Sequence, residues 1–199
     1  MAEPFSETPF LLIWKNPRKA MQLILASNPR YLNFSLAFVT SIDRLLFQAN
    51  QESLGIHHDY IQILGLCVLG GLVYAFFWLY AFGAILHCMS KLFGGKAPFS
   101  HTRAALAWAG APELLSLCVW FALLLFSPED TFIKMTDGTS LLFLYLIMFI
   151  PTVWSLGLSI INLQEAQHLS LGKAIANWLL FWACFLGLQQ LGIFEVRFY

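Results

Sequence analysis

Residues 60–90 read YIQILGLCVLGGLVYAFFWLYAFGAILHCMS and contain no Asp, Glu, Lys or Arg. A helix that crosses a bilayer needs about 20 mainly apolar residues, so this run predicts a membrane-spanning helix. Four other stretches also qualify, although the earliest is weakened by the adjacent charges Asp43 and Arg44. The five predicted spans are residues 31–49, 60–90, 104–126, 141–163 and 171–193.

The composition agrees with a chain that lies mostly in lipid. Of the 199 residues, 59% are hydrophobic and only 11% are charged, whereas soluble domains carry about 25% charged residues. An ordinary soluble domain and a disordered chain are therefore both excluded. The net charge is 0, which gives no basic surface for nucleic acid. We therefore expect an all-α, polytopic membrane protein whose surroundings are the lipid bilayer.

The first 30 residues differ from the rest of the chain. Thr8-Pro9 and Asn16-Pro17 are each typical of a helix cap followed by proline in the first turn. Both segments are too short to span, and their apolar and basic residues favour short helices in the membrane interface; an irregular tail is the alternative. The predicted organisation is a cytoplasmic or interfacial segment at 1–30 and a five-helix membrane domain at 31–199.

Basic residues predict the orientation, because they are enriched on the cytoplasmic side of membrane proteins. With five spans, only Lys134 and Arg197 fall on one side of the membrane. The other side holds Lys15, Arg18, Lys19, Arg30, Lys91, Lys96, Arg103 and Lys173. We therefore expect a multi-pass protein of the cell inner membrane, with a cytoplasmic N-terminus and a C-terminus on the opposite side.

Glu113 is the strongest candidate for a functional residue. It lies ten residues after Arg103, or about 15 Å along a helix, which is near the middle of a hydrocarbon core. Ionisable residues at that depth are costly and mark functional sites by default. Proton or cation handling and ligand contact are the functional interpretations. The alternative is a carboxylic acid that is held neutral, or one that is bonded to a freed backbone group or a partner side chain.

Three further polar residues fall near the cytoplasmic ends of spans. Glu165 and His168 are three positions apart and share a helix face. This spacing also occurs in di-iron bundles, but those need two such pairs and more glutamates, so a polar turn is preferred over a metal site. His87 lies about one turn inside Lys91. Together with Glu113, these residues form a candidate polar site if the fold brings them together.

Asp43 and Arg44 are neighbours and therefore point in different directions from a helix. We expect Arg44 to extend toward the membrane surface, as long basic side chains near helix ends do, and Asp43 to face the bundle. Gly94 and Gly95 predict a turn between the second and third spans. Glycines in the second span allow close helix packing, either within the chain or in self-association.

Enzyme motifs are absent from the sequence. It has no His-Glu-x-x-His, no Gly-x-Ser-x-Gly and no phosphate loop ending in Gly-Lys-Ser/Thr. The loops between spans are too short for a separate catalytic domain. We therefore expect a non-enzymatic protein without a metal or a cofactor.

Several short motifs are spread along the chain: Trp14-Lys15-Asn16-Pro17, Asn28-Pro29, Gly94-Gly95-Lys96, residues 107–113 (AWAGAPE), residues 164–170 (QEAQHLS) and Lys173-Ala174. With these motifs the chain resembles the Yip-domain family of Ypt/Rab-interacting membrane proteins, in its bacterial branch. The resemblance implies five spans and a cytoplasmic N-terminus. Eukaryotic members are tied to Rab GTPases, but their acidic Asp-Leu-Tyr-Gly-Pro element is missing here, so a Rab-type partner is not expected.

The sequence thus favours a membrane-organising or partner-binding scaffold, which binds another membrane protein or a second copy of itself. The alternative is a small transporter or channel-like protein in which Glu113 is the intramembrane carboxylate.

Overall fold

The computed structural model of the protein describes residues 8–134 and 138–190, and for 138–144 it describes the backbone only. Residues 1–7 and the predicted end of the last span at 193 lie outside these ranges. The described chain is all-α, as predicted. Its α-helices are α1 (Pro9–Lys15), α2 (Pro17–Ser27), α3 (Asn33–Gln51), α4 (Tyr60–Phe77), α5 (Gly83–Leu92), α6 (Phe99–Ala109), α7 (Leu114–Phe126), α8 (Gly138–Gln167) and α9 (Leu171–Gln190).

Four helical stretches among the described residues are long and apolar enough to cross a membrane. They are Tyr60–Leu92, Phe99–Phe126, Tyr145–Gln167 and Leu171–Gln190. These stretches confirm the predicted membrane-spanning bundle. The earliest predicted span forms α3, which has the length of a span but is less apolar because it carries polar and charged residues. The count of five spans therefore stays a prediction.

The second span contains one irregular turn. A π-helical turn at Trp78–Phe82 joins α4 to α5 without ending the helix, and such turns often occur at functional sites. Before it, α4 packs closely on α3: a Cβ on Gly71 would lie 3.0 Å from Ile42 Cγ1. A Cβ on Gly65 would instead meet nothing within 4 Å. Close packing of α4 on α3 therefore explains why residue 71 is a glycine. Self-association through the other glycines of this span stays a prediction.

The third span is broken in the middle. It begins at Phe99, five residues before the predicted start, and α6 ends at Ala109. A single 3-10 turn, Ala111–Glu113, separates it from α7. Pro112 lies in that turn, and proline lacks the N–H that would continue the helical ladder. Glu113 therefore lies at a helix break, about halfway along the span.

The turn between the second and third spans requires glycine at both Gly94 and Gly95. Gly94 has a φ of +90°, which residues with a Cβ rarely adopt. A Cβ on Gly95 would lie 2.6 Å from Gln167 Oε1 and 2.9 Å from the Ser90 carbonyl oxygen. The Gly95 N–H also donates to that carbonyl at 2.8 Å. The turn thus holds the end of α5 against the end of α8.

The two helices predicted after proline form, and they fold into a hairpin. The side chain of Asn16 caps α2 by accepting from the Lys19 N–H at 3.2 Å. Ile13, Met21 and Ile24 are fully buried in a cluster that includes residues of α6 and α8. The α1–α2 hairpin is therefore part of the packed bundle.

A cavity with charged side chains inside the helix bundle

A cavity of about 890 Å³ lies between α3, α4, the broken third span, α8 and α9. Its size falls in the range of small-molecule sites. Polar groups and aromatic rings share its wall. The lining residues are Thr40, Ser41, Asp43, Arg44, Phe47, Tyr74, Trp78, Leu106, Ala109, Gly110, Glu113, Ser116, Tyr145, Met148, Phe149, Thr152, Val153, Ser155, Leu156, Ser159, Trp178 and Trp182.

Arg44 reaches into the cavity among aromatic rings. Its guanidinium carbon lies 5.6 Å from the ring centres of Tyr74 and Phe185 and 5.9 Å from that of Trp78. Aromatic faces attract a desolvated cation within about 6 Å. The expectation that Arg44 extends toward the membrane surface is therefore wrong, because the rings stabilise the cation inside the bundle.

Asp43 also lines the cavity, although it is adjacent to Arg44. Its carboxyl group lies beside the indole of Trp120, but no hydrogen bond of ordinary geometry joins them. Asp43 Oδ1 and Trp120 Nε1 are buried and have no hydrogen-bond partner among the described residues. The prediction that Asp43 faces the bundle agrees with this geometry, and the cavity is wide enough for both neighbours to border it.

Glu113 enters the cavity from the break in the third span. The hydroxyl group of Ser155 on α8 lies near its carboxyl group, and Asp43 and Arg44 are the charged groups that act on it. Within residues 8–134 and 138–190, none of these charges forms an ion pair of 4.0 Å or less with another. The charged side chains of the cavity therefore lie near one another without forming direct ion pairs.

His87 lies outside this cavity, in a hydrogen-bond chain that connects three spans. Thr102 Oγ1 accepts from Gln167 Nε2 at 2.7 Å and lies 2.8 Å from His87 Nδ1. The chain links α5, α6 and α8 near the end of the bundle where α6 begins. Thr102 and Gln167 are buried, so the arrangement is typical of a structural network.

Glu165 binds the N-terminal hairpin. Its Oε2 accepts from Gln22 Nε2 at 2.8 Å, and its Oε1 lies 3.8 Å from Arg18 Nε. His168 is exposed at the end of α8, with a φ of +54°. The structure thus does not bring Glu113, His87, Glu165 and His168 into one site.

The described residues contain no cluster of three or more His, Cys, Asp or Glu side chains that suits a metal ion. The cavity wall offers groups that can bind a polar ligand. Arg44 supplies a cation, Asp43 and Glu113 supply acceptors, and Ser155 and Trp178 supply buried polar atoms without a hydrogen-bond partner in the described part of the chain.

One edge of the cavity reaches the outer surface of the bundle. Phe149, Val153 and Leu156 of α8 border the cavity, yet these side chains are 62%, 48% and 47% exposed. In a membrane, such a surface faces lipid. A molecule that is apolar at one end and polar at the other can therefore contact both lipid and the charged groups.

The sequence predicted Glu113 as a site residue but did not predict the aromatic rings that surround Arg44. A signal was present, since Tyr74 and Trp78 are four residues apart and share one face of the second span. Their pairing with an arginine on another span depends on packing over a long sequence distance. Nothing in the sequence around Phe185, on the last span, indicates that its ring contacts Arg44.

Comparison with known proteins gives one match. The family model of the Yip1 domain matches residues 11–192. No curated protein matches the chain, and no solved structure matches it either. Because the family model covers nearly the whole chain, from the N-terminal hairpin to the end of the last span, this membrane protein belongs to the Yip1-domain family.

Proposed function

We propose that the protein is a non-enzymatic scaffold of the cell inner membrane that organises the bilayer by holding an amphipathic membrane molecule in its central cavity. The observation that carries the proposal is the juxtaposition of Asp43, Arg44 and Glu113 with aromatic and lipid-facing walls. Buried polar atoms without partners are costly, and a polar head group would satisfy them. The apolar part of the same molecule would lie against Phe149 and Leu156.

The orientation fits this role as the sequence predicts it, with the N-terminal hairpin on the cytoplasmic side. Partner binding would then use the ends of the bundle, where the hairpin and the short loops are exposed. A second copy of the chain is one such partner. A Rab-type GTPase is not, because the acidic element of the eukaryotic proteins is missing.

The test is to identify what the purified protein retains. Full-length protein is extracted in a mild detergent, and bound molecules are released with organic solvent and identified by mass spectrometry. We expect one amphipathic class at close to one molecule per chain. Thr152→Phe places bulk in the cavity wall and should abolish its retention.

Gly157→Phe is the matched control. It adds the same ring to α8 at a position where a Cβ meets nothing within 4 Å, and it should leave retention unchanged. Equal loss in both variants, or no retained molecule in the unaltered protein, would contradict the proposal.

A small transporter is the second candidate, favoured by one observation. Glu113 lies at a helix break in the middle of a span, and broken helices often form the binding sites of transporters. Reconstitution into liposomes tests this function. A pH-dependent flux that is lost in Glu113→Gln would support transport over static binding.

A further inference from the structure

A second, smaller pocket lies outside the central cavity, beside the start of α3. It has a volume of about 310 Å³ and is lined by Arg30, Asn33, Phe34, Leu79, Tyr80 and Arg103. We propose that this pocket binds the phosphate of an anionic membrane lipid, with its acyl chains against the outer surface of the bundle.

Two arginines supply the charge. Arg30 lies in the turn before α3, and Arg103 lies in the second turn of α6. Among the described residues, no carboxylate comes within 4.0 Å of either guanidinium group. The pocket is therefore cationic and uncompensated, and arginine is well suited to hold phosphate oxygens.

Arg103 is held in place before any ligand arrives. Its guanidinium carbon lies 4.8 Å from the ring centre of Tyr80 and 5.0 Å from that of Phe99. Its Nε is buried without a hydrogen-bond acceptor in the described part of the chain. Asn33, which is only 7% exposed, also has a buried Oδ1 without a partner. A phosphate with a glycerol or hydroxyl group would supply both the acceptor and the donor.

The position of Arg103 fits a lipid head group at one end of the pocket. Arg103 lies four residues inside the start of α6, or about 6 Å along the helix. The side chains beside it, Phe34 and Tyr80, are 45% and 43% exposed on the outer surface of the bundle. Basic pockets between membrane helices at this level are suited to anionic lipid head groups.

The experiment measures lipid binding to the full chain by native mass spectrometry. Delipidated protein in a mild detergent is titrated separately with phosphatidylglycerol and with phosphatidylcholine. We expect a preference for phosphatidylglycerol that falls about fivefold in Arg30→Gln and in Arg103→Gln, since each basic group near a membrane surface contributes about 1 kcal/mol. Arg103→Lys should keep most of the preference because it keeps the charge.

Two controls separate this site from others. Lys96→Gln removes an exposed cation near the same end of the bundle and should keep the preference. Arg44→Gln alters the central cavity and should also keep the preference for phosphatidylglycerol. The lipid result therefore does not depend on whether the central cavity holds a ligand. Because Arg30 is exposed, Arg30→Gln tests the pocket even if the Arg103 variants fold poorly.

A separate titration with inorganic phosphate tests whether the pocket binds a free anion instead of a lipid. Binding of inorganic phosphate that depends on Arg30 and Arg103, with no preference between the two lipids, would overturn the proposal. Unchanged phosphatidylglycerol binding in Arg30→Gln would also overturn it. A preference that is lost in Arg30→Gln and kept in Lys96→Gln would support it.

Discussion

The Cγ2 methyl group of Thr40 occupies the space that a Cβ on Gly110 would need. This contact sets how closely α3 approaches the break in the third span. Both residues also line the central cavity, so the same contact defines one wall of the site.

Gly110→Ala should therefore lower the free energy of unfolding by about 1–3 kcal/mol, because the added methyl group overpacks the contact. The φ of −78° at Gly110 suits alanine, so the loss would come from the collision and not from backbone strain. Thermal unfolding in a mild detergent measures the effect.

Adding Thr40→Ser to that variant should recover most of the loss, because serine lacks the colliding methyl group. Gly157→Ala is the control, since its new Cβ meets nothing within 4 Å. A loss in Gly157→Ala as large as that in Gly110→Ala would contradict the explanation.

Arg44→Gln should destabilise the protein by about 2 kcal/mol or more, because it leaves the carboxyl groups of Asp43 and Glu113 without a nearby cation. Arg44→Lys should cost less, since it keeps the charge but loses the planar contact with the rings. Chemical or thermal unfolding measures the stability of each variant and so ranks Arg44→Lys against Arg44→Gln.

The control for Arg44 is Arg18→Gln. Arg18 is exposed and pairs with Glu165 at 3.8 Å, and surface pairs contribute at most about 1 kcal/mol. Combining Arg44→Gln with Asp43→Asn should restore part of the lost stability. If the double variant is no more stable than Arg44→Gln, the charges in the cavity are not coupled.

Glu113→Leu should lower stability or function more than Glu129→Leu does. Glu113 borders the cavity and interacts electrostatically with Arg44, so its loss removes a negative charge that stabilises this partly buried cation, whereas Glu129 is exposed in the loop after α7. Unfolding midpoints of the two variants compare them. Glu113→Gln separates the role of charge from that of shape, and equal midpoints for both leucine variants would refute the expectation.

Thr102→Val should cost about 1–3 kcal/mol, because one hydroxyl group serves both His87 and Gln167 and both lose a partner. The comparison is Thr152→Val, because the Thr152 hydroxyl group, among the described residues, donates only to the Met148 carbonyl oxygen of its own helix at 3.0 Å. A cost in Thr102→Val no greater than in Thr152→Val would show that the chain of hydrogen bonds contributes little.

Reporters fused to the two termini test the topology. The distribution of basic residues predicts a cytoplasmic N-terminus, and five spans then put the C-terminus on the other side. A reporter active on only one side should therefore respond at one terminus and not at the other. The same response at both termini would remove α3 from the set of spans.

The helices were predictable because apolar runs, prolines and glycines act over a few residues. Pro9 and Pro17 begin helices, and the run at 60–90 forms one continuous span. The depth of Glu113 also followed from counting along a helix. The start of the third span at Phe99 was missed, since His101 and Arg103 lower the local apolar content although Arg103 packs against Tyr80 and Phe99.

The candidate site was less predictable because it is built by contacts between distant segments. Arg44 meets a ring on the last span, and Glu165 meets the N-terminal hairpin instead of Glu113. Sequence spacing gives the face of one helix but not which helix lies opposite. The separation of Glu113 from His87, Glu165 and His168 follows from that packing.

The α1–α2 hairpin has a consequence for biosynthesis. Arg18 donates to Gln164, a residue 146 positions later in the chain, at 3.1 Å. The hairpin is therefore translated well before α8, which supplies part of its docking surface. Until α8 is made, Ile13, Met21 and Ile24 lack the part of their core that α8 supplies, and non-local contacts of this kind form slowly. Completion of the bundle therefore waits for the arrival of α8.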